Sequence, residues 1–241
     1  MLHDGREALV VDPGDATPVL QALQDEGVEL RSILVTHHHA DHTGGVDTLR
    51  NTTGAQVWGP AHETIPAPYQ PLVQGQQVHS LGLAFEVLYV PGHTAGHIAF
   101  YTADMDGAPL LFCGDTLFSA GCGRLFEGTP AQMADSLDRL AALPATTRVC
   151  CTHEYTLSNL RFALAVDPLN ADLLAHQARC QALRDQDLPT LPSSIDLERR
   201  INPFLRASAP PILAALRQFD APGLARDGAF ATLRRWKNEY R

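Results

Sequence analysis

The chain lacks the features that would assign it to a membrane, a secretory route or a nucleic acid. Its 241 residues contain no apolar run of about eighteen or more, which excludes a transmembrane helix. No basic segment followed by an apolar one starts at Met1, so no signal peptide is expected. There is no block of Lys and Arg, and the formal net charge is −9, which argues against nucleic acid as a main partner. The five cysteines (Cys113, Cys122, Cys150, Cys151 and Cys180) are odd in number and lack zinc-ribbon spacing. Reduced thiols in a cytoplasmic protein are the simplest expectation. The Cys150-Cys151 pair sits in an apolar segment and reads as core packing, because buried cysteine behaves as a small hydrophobe. No internal repeat or low-complexity tract is present. What remains is a chain 45% hydrophobic and 19% charged, long enough for one large domain or a domain with a smaller appendage.

What the chain does have is histidine in one place. Thr36-His37-His38-His39-Ala40-Asp41-His42-Thr43-Gly44-Gly45 follows Ser32-Ile33-Leu34-Val35, an apolar run that reads as a buried strand. Gly44-Gly45 opens a helix through Val46 and Leu49, so the cluster is expected on a strand-to-helix loop. Imidazole nitrogen and carboxylate oxygen on one loop suit zinc, iron or manganese. Further strands are expected over 8–12, 55–58, 83–90, 98–102, 110–113 and 148–152, with helices over 17–27 and 129–143. Residues 65–75, rich in Pro, Gln and Gly, read as a loop. After Thr156 the pattern is helical only, over 157–166, 171–184, 211–219 and 229–240, with a Pro/Ser connector over 188–194. Strands with interspersed helices followed by a helical tail predict an α/β domain over 1–156 and an α-helical domain over 157–241.

Three more strand ends carry ligand-type residues: His93 in Pro-Gly-His, Asp115 in Cys-Gly-Asp-Thr, and His153 in Thr-His-Glu-Tyr. Loops that follow strands are where α/β proteins place their ligands. With His37, His39, Asp41 and His42 they make seven candidates, too many for one tetrahedral ion. Two ions sharing a carboxylate would use them all. A water bridging two cations is acidified from a pKa near 15.7 towards about 7, so hydrolysis is the natural reaction. Asp41 would both ligate a metal and orient the hydroxide, and the ions would stabilise the oxyanion formed at a carbonyl.

The His-x-His-x-Asp-His run resembles the signature of the metallo-β-lactamase superfamily. The resemblance implies a four-layer αββα sandwich with the site at one edge of two sheets. It further implies that His37, His39 and His93 hold one metal, that Asp41, His42 and His153 hold the other, and that Asp115 bridges both. Two divalent ions are expected, Zn(II) first, with Fe or Mn possible because the same ligands suit them. His38, between ligands, is expected to point away. His97 either supports a ligand through its second nitrogen or simply packs. His3, His62, His79 and His176 have no motif around them and default to surface or core.

The bond to be cleaved is decided elsewhere. Gly121 to Thr129, Tyr155, Ile201-Asn202-Pro203-Phe204-Leu205-Arg206 and Arg234-Arg235-Trp236-Lys237 resemble the hydroxyacylglutathione hydrolase (glyoxalase II) family over nearly the whole chain. That implies a thioesterase acting on S-D-lactoylglutathione, with Arg124, Tyr155, Arg234 and Lys237 binding the glutathione moiety. Arg234 and Lys237 are spaced i, i+3 and would share a helix face, suited to gripping a carboxylate. Without the resemblance they read as ordinary solvated charges near a helix C-terminus. Two departures stand out. Phe126 replaces a tyrosine that the family often has, and Met1 stands almost inside the sheet, so that either translation starts upstream or an N-terminal strand is lacking and a sheet edge is exposed. The competing expectations are a glutathione-persulfide dioxygenase, another hydrolase of the superfamily, or a metal-binding module without catalysis. The partner expected is the small-molecule thioester alone, with no nucleic acid and no membrane, and the protein a monomer.

Overall fold

A computed structural model describes residues 1–240. They fall into two compact units: residues Met1–Tyr89 with Thr94–Gly114, and Val90–His93 with the chain from Asp115 onward.

The first unit begins with β1 (Leu2–His3), β2 (Glu7–Val11), α1 (Ala16–Glu26), β3 (Glu29–Leu34), α2 (Ala40–Thr43), α3 (Val46–Thr53), β4 (Gln56–Pro60) and β5 (Gln70–Leu72). The five strands form one sheet in the order β1-β2-β3-β4-β5. Strands β2 to β5 are parallel, and β1 is a two-residue antiparallel edge. Parallel strands are covered on both faces and so read as continuous apolar runs, as Ala8-Leu9-Val10 and Ile33-Leu34-Val35 do. Alternate side chains sort to opposite faces. Ala8, Val10, Ile33 and Val35 pack with Leu23, Val46 and Leu49 of the helices. Leu9 and Leu34 point the other way, into Val78, Phe85, Val87, Ile98 and Phe100. Those residues belong to an antiparallel meander of β6 (Gln77–Ser80), β7 (Leu83–Tyr89), β8 (Ile98–Met105) and β9 (Ala108–Phe112). The unit is thus helix layer, sheet, sheet. Each fully buried Phe or Leu there contributes about 1.5–3 kcal/mol relative to exposure. Helix α1 is capped by Asp15, which accepts from the Thr17 N–H, and stopped by Gly27 in the left-handed region. Strand β5 lies inside the segment expected to be loop. Its three residues include Pro71, which is tolerated because β5 is a sheet edge.

The second unit contains a hairpin of β10 (Leu117–Phe118) and β11 (Gly121–Cys122), then α4 (Pro130–Ala141), β12 (Arg148–Cys150), α5 (Thr156–Val166) and α6 (Ala171–Arg184). It closes with β13 (Ser193–Ser194), α7 (Ile195–Ile201) and α8 (Pro210–Glu239). Helix α4 begins with a complete capping box between Thr129 and Gln132 and buries Met133, Leu137 and Leu140 along one stripe. The tail is not purely helical: β13 pairs antiparallel with β12 inside the expected connector. A two-residue strand of serines has no apolar alternation to reveal it. Helix α8 is interrupted at Asp220 and at Gly228, whose φ is 83°, which is why the sequence reads as two separate helices there. Leu160, Ala163, Leu173, Cys180 and Ile201 form the helical core, extended by Trp236 stacked on Phe219 with ring centroids 4.8 Å apart. Cys150 and Cys151 are half-buried rather than core, and burial pushes the Cys151 thiol up to about 12. No helix among the described residues is long and apolar enough to cross a membrane.

Candidate metal centre

Leaving β3, the chain runs through Val35 and Thr36 into the histidines. The expected loop is shorter than the sequence suggests, because Asp41 and His42 already lie on the single turn of α2. A Cβ on Gly14 would stand 2.1 Å from the Asp41 carbonyl oxygen, and one on Gly45 2.7 Å from that of Pro13. The Pro13-Gly14 turn and the Gly44-Gly45 pair therefore pack backbone to backbone, and side chains there would push α2 out of place.

Hydrogen bonds within the first unit set which nitrogen of each imidazole is available. Thr36 Oγ1 donates to Asp12 Oδ2 at 2.7 Å and lies 3.1 Å from His37 Nδ1. It therefore accepts from His37 Nδ1–H, which leaves the lone pair on Nε2. That atom is 3.1 Å from His39 Nδ1. Two ligands of a tetrahedral ion bound at about 2.0–2.1 Å stand about 3.3 Å apart, so these two imidazoles fit one cation. His42, fully buried, pairs through Nδ1 with Asp12 Oδ2 at 3.1 Å, which turns Nε2 towards Asp41 Oδ2 at 3.8 Å. Asp12 also accepts the Thr36 N–H at 2.7 Å. Its φ of 50° is uncommon for a residue with a side chain, and three hydrogen bonds hold it there. A carboxylate behind a ligating histidine fixes the ring and raises its basicity. The sequence marks Asp12 only as the last residue of an expected strand.

Glu63 was missed as well. Its side chain is buried and accepts from the His38 N–H at 2.6 Å and the Gly96 N–H at 3.0 Å. It also accepts from the Thr94 hydroxyl and pairs with His38 Nδ1 at 3.0 Å. His38 is thus turned to Glu63, which anchors the backbone between His37 and His39. His97 is fully buried and stacks on His37 with centroids 4.6 Å apart. Nothing in the sequence around Glu63 marks it, since it lies within a stretch of turn-forming residues.

The second unit carries the other ligand-type residues. His93 Nδ1 donates to the Arg124 carbonyl at 2.9 Å, leaving Nε2 3.5 Å from Asp115 Oδ2. His153 Nε2 lies 3.5 Å from Asp115 Oδ1. Each oxygen of Asp115 thus faces a different imidazole nitrogen. Thr152 Oγ1 donates to Oδ1 at 3.0 Å and steadies it.

The residues expected to bind glutathione also lie in this unit, in contrasting environments. Arg124 is exposed. Tyr155 is half-exposed and stacks on His153 with centroids 4.9 Å apart. Phe126 is exposed and meets His93 edge-on at 5.3 Å. Arg234 is only 5% exposed. Its guanidinium lies over Phe204, one amino group donating to the Cys122 carbonyl at 3.0 Å and the Gly123 carbonyl at 3.4 Å. Its buried Nε has no hydrogen-bond partner among the described residues. Lys237 donates to the Ser158 carbonyl at 3.4 Å and sits 5.0 Å from the Phe162 centroid. Burial first, and then the neighbouring Arg234 charge, lower its pKa to about 8.

Residues 1–153 match the model of the metallo-β-lactamase superfamily, so the class is that of an α/β metallohydrolase fold with a helical C-terminal part. With the His and Asp sets described above, this class points to a dinuclear metal site. Residues 154–240 match the model described as hydroxyacylglutathione hydrolase C-terminus. The hydroxyacylglutathione hydrolase of Albidiferax ferrireducens is 63% identical over 240 residues, covering 100% of this chain and 94% of that protein. Among solved structures, ETHE1 from Myxococcus xanthus is similar with a TM-score of 0.63 and 26% identity, over 97% of this chain and 90% of that one. TTHA1623 in a di-iron-bound form is similar with a TM-score of 0.58 and 28% identity, over 81% and 87%. The chain belongs to the hydroxyacylglutathione hydrolase family of the metallo-β-lactamase superfamily.

Proposed function

We propose that the protein hydrolyses S-D-lactoylglutathione, and S-2-hydroxyacylglutathiones more broadly, to the 2-hydroxy acid and glutathione, which places it in methylglyoxal detoxification. The observation that carries this reading is the match of residues 154–240, where Arg234 and Lys237 lie, to the C-terminal part of that hydrolase family. Persulfide oxidation and the other superfamily reactions find no comparable support.

In this reading His37, His39 and His93 would hold one ion and Asp41, His42 and His153 the other, with Asp115 serving both. Zn(II) is the first candidate, with Fe or Mn as alternatives. Bound divalent ions supply an acidified water and polarise the thioester carbonyl. The chain's own residues do the rest. Asp12, Thr36 and the Arg124 carbonyl accept from Nδ1 of His42, His37 and His93, so in the neutral rings the lone pair lies on Nε2. Asp41, whose side chain is mostly exposed, is placed to orient the nucleophile. As the C–S bond breaks, glutathione leaves as a thiolate of modest basicity, so the chain needs no strong general acid.

Glutathione carries two carboxylates. Arg124, Tyr155, Arg234 and Lys237 bind it, and the unpartnered Nε of Arg234 supports this, since a buried donor left unsatisfied costs about 1–3 kcal/mol that a carboxylate would remove. Residues 1–156 form the catalytic domain and 157–241 the glutathione-binding domain of a monomeric cytoplasmic enzyme. Steady-state hydrolysis of S-D-lactoylglutathione by purified protein, with and without chelator, tests the proposal. Undiminished turnover after complete metal removal would overturn it.

A further inference from the structure

The hairpin of β10 and β11 is a short loop between two residues of the centre. Its stem closes where the Gly123 N–H donates to the Thr116 carbonyl at 3.2 Å. On one side of the stem stands Asp115, and on the other Arg124, whose carbonyl fixes the His93 ring. The stem has no slack: a Cβ on Gly123 would lie 1.9 Å from the Asp115 carbonyl oxygen and 3.1 Å from His93 Nδ1. The tip of the hairpin, Ser119-Ala120, is buried, and its backbone groups are satisfied by side chains of the helical tail.

Asn202 Nδ2 donates to the Phe118 carbonyl at 3.1 Å and the Gly121 carbonyl at 2.9 Å. Glu198 Oε2 accepts the Ala120 N–H at 2.8 Å and binds Asn202 Nδ2 at 3.0 Å. Asn159 Nδ2 donates to the Ser119 carbonyl at 3.1 Å. Ala120 itself has a φ of 54°, a conformation that an alanine keeps only under restraint. Both Glu198 and Asn202 are fully buried. They come from the Ile-Asn-Pro-Phe stretch and the helix before it, a motif for which metal binding and glutathione binding leave no role.

We infer that Asn202 and Glu198 are positioning residues for the metal centre, holding the 116–123 hairpin so that Asp115 and the His93–Arg124 bond keep their places. This rests on the proposed use of Asp115 and His93 as ligands. The two residues touch neither metal nor substrate; they act through the backbone of the hairpin. A carboxylate and an amide suit the task because together they supply an acceptor for one N–H and donors for two carbonyls, in a place that excludes water.

The test is Asn202→Ala in the full chain. Zn(II) affinity is read by competition with a chromophoric chelator, and ligand geometry from the visible spectrum after Co(II) substitution. The expected result is about a 10–100-fold loss of metal affinity and an altered Co(II) spectrum, with kcat lowered, KM little changed and the far-UV circular dichroism retained. Ser193→Ala is the control, because it removes a 2.5 Å hydrogen bond to Glu198 Oε1 but none to the hairpin. If Ser193→Ala lowers metal affinity as much as Asn202→Ala, the effect is general destabilisation and the inference fails. It fails equally if folded Asn202→Ala binds Zn(II) and Co(II) as wild type does. Glu198→Gln keeps an acceptor for Ala120 and Asn202 and is expected to restore wild-type affinity where Glu198→Ala does not. Should Asn202→Ala not fold, Asn159→Ala carries the same readout with a smaller expected shift, and unchanged affinity there overturns the clamp. Metal affinity needs no substrate, so these outcomes are separable from failure of the thioesterase reading, which would show as wild-type protein that binds metal and leaves lactoylglutathione intact.

Discussion

The histidine segment and the C-terminal helix both hold polar side chains away from water, and they do so by opposite means. In the first unit His37 and His42 are fixed by side chains, Asp12 and Thr36, whose own bonds run across neighbouring parallel strands β2 and β3. In the second, Arg234 is fixed by main-chain carbonyls of Cys122 and Gly123, more than a hundred positions earlier, and by the ring of Phe204. The first arrangement controls protonation, because a carboxylate or hydroxyl opposite one ring nitrogen dictates the state of the other. The second controls only place. What the structure adds at Arg234 is a buried, partly unsatisfied guanidinium. His37 and His42 are held by a hydroxyl and a carboxylate, whereas Arg234 is held by main-chain dipoles.

The largest effect that would test this contrast comes from Asp115. Asp115→Ala is expected to lower kcat by at least about 100-fold, since loss of groups merely behind the ligands already costs about 10–100-fold. Metal analysis should show loss of bound ion in parallel; full occupancy with full activity would remove Asp115 from the centre. Asp12→Ala comes next, with about a 10–100-fold loss of metal affinity or activity. A truncation that left affinity unchanged would mean that His42 does not depend on its carboxylate partner.

The two α8 cations should then separate. Lys237→Ala is expected to raise KM by about 10-fold with kcat nearly unchanged, as for a charged hydrogen bond worth about 1.5 kcal/mol that is lost equally from ground and transition state. Arg234→Ala should raise KM as well but also lower kcat and Tm, because it frees the Cys122 and Gly123 carbonyls beside Arg124. Identical kinetic signatures for the two variants would erase the distinction drawn between them. The pH dependence sharpens it further. With a folded pKa lowered to about 8, Lys237 is charged below that pH and neutral above it. KM should therefore rise as pH increases through about 8, and Lys237→Arg should flatten the profile, because arginine stays protonated. The smallest effect is expected from Phe126→Tyr. A hydroxyl on this exposed ring would add one hydrogen bond to bound glutathione, worth about 0.5–1.5 kcal/mol, and KM should fall by a factor of roughly two to ten.

Much of the site could be read from residue order, for a physical reason. Candidate ligands that leave one strand together, such as His37, His39, Asp41 and His42, are brought close by local geometry and need no long-range information. The loop that bears them was misjudged only in that Asp41 and His42 sit on a helical turn, which four residues without apolar periodicity cannot announce. Strands β2, β3, β7 and β8 were legible because buried strands need apolar side chains, whereas β5, β6 and β13 escaped because they are sheet-edge strands of two to four residues, too short for alternation to show. Helix α7 is seven residues long, too short for its periodicity to stand out.

The partners of the ligands were out of reach for a different reason. Asp12, Glu63, Glu198 and Asn202 are ordinary residues in the chain and become specific only through what folding places against them. By itself the sequence determined the chemistry available: seven candidate nitrogen and oxygen donors on loops after strands, two cations one helical turn apart, and apolar runs that must pair and be covered. Those properties depend on residue type and spacing, which local geometry converts directly into structure. Tertiary structure alone decided which ring nitrogen of His42 and of His93 is hydrogen-bonded, that Asp12 and Glu63 are buried against the histidine segment, and that Arg234 is held by main-chain carbonyls while Lys237 loses part of its proton affinity. Those outcomes are set by burial and by hydrogen bonds between groups 24 to 112 positions apart, where the energy of an unsatisfied polar atom, rather than the pattern of the chain, selects the arrangement.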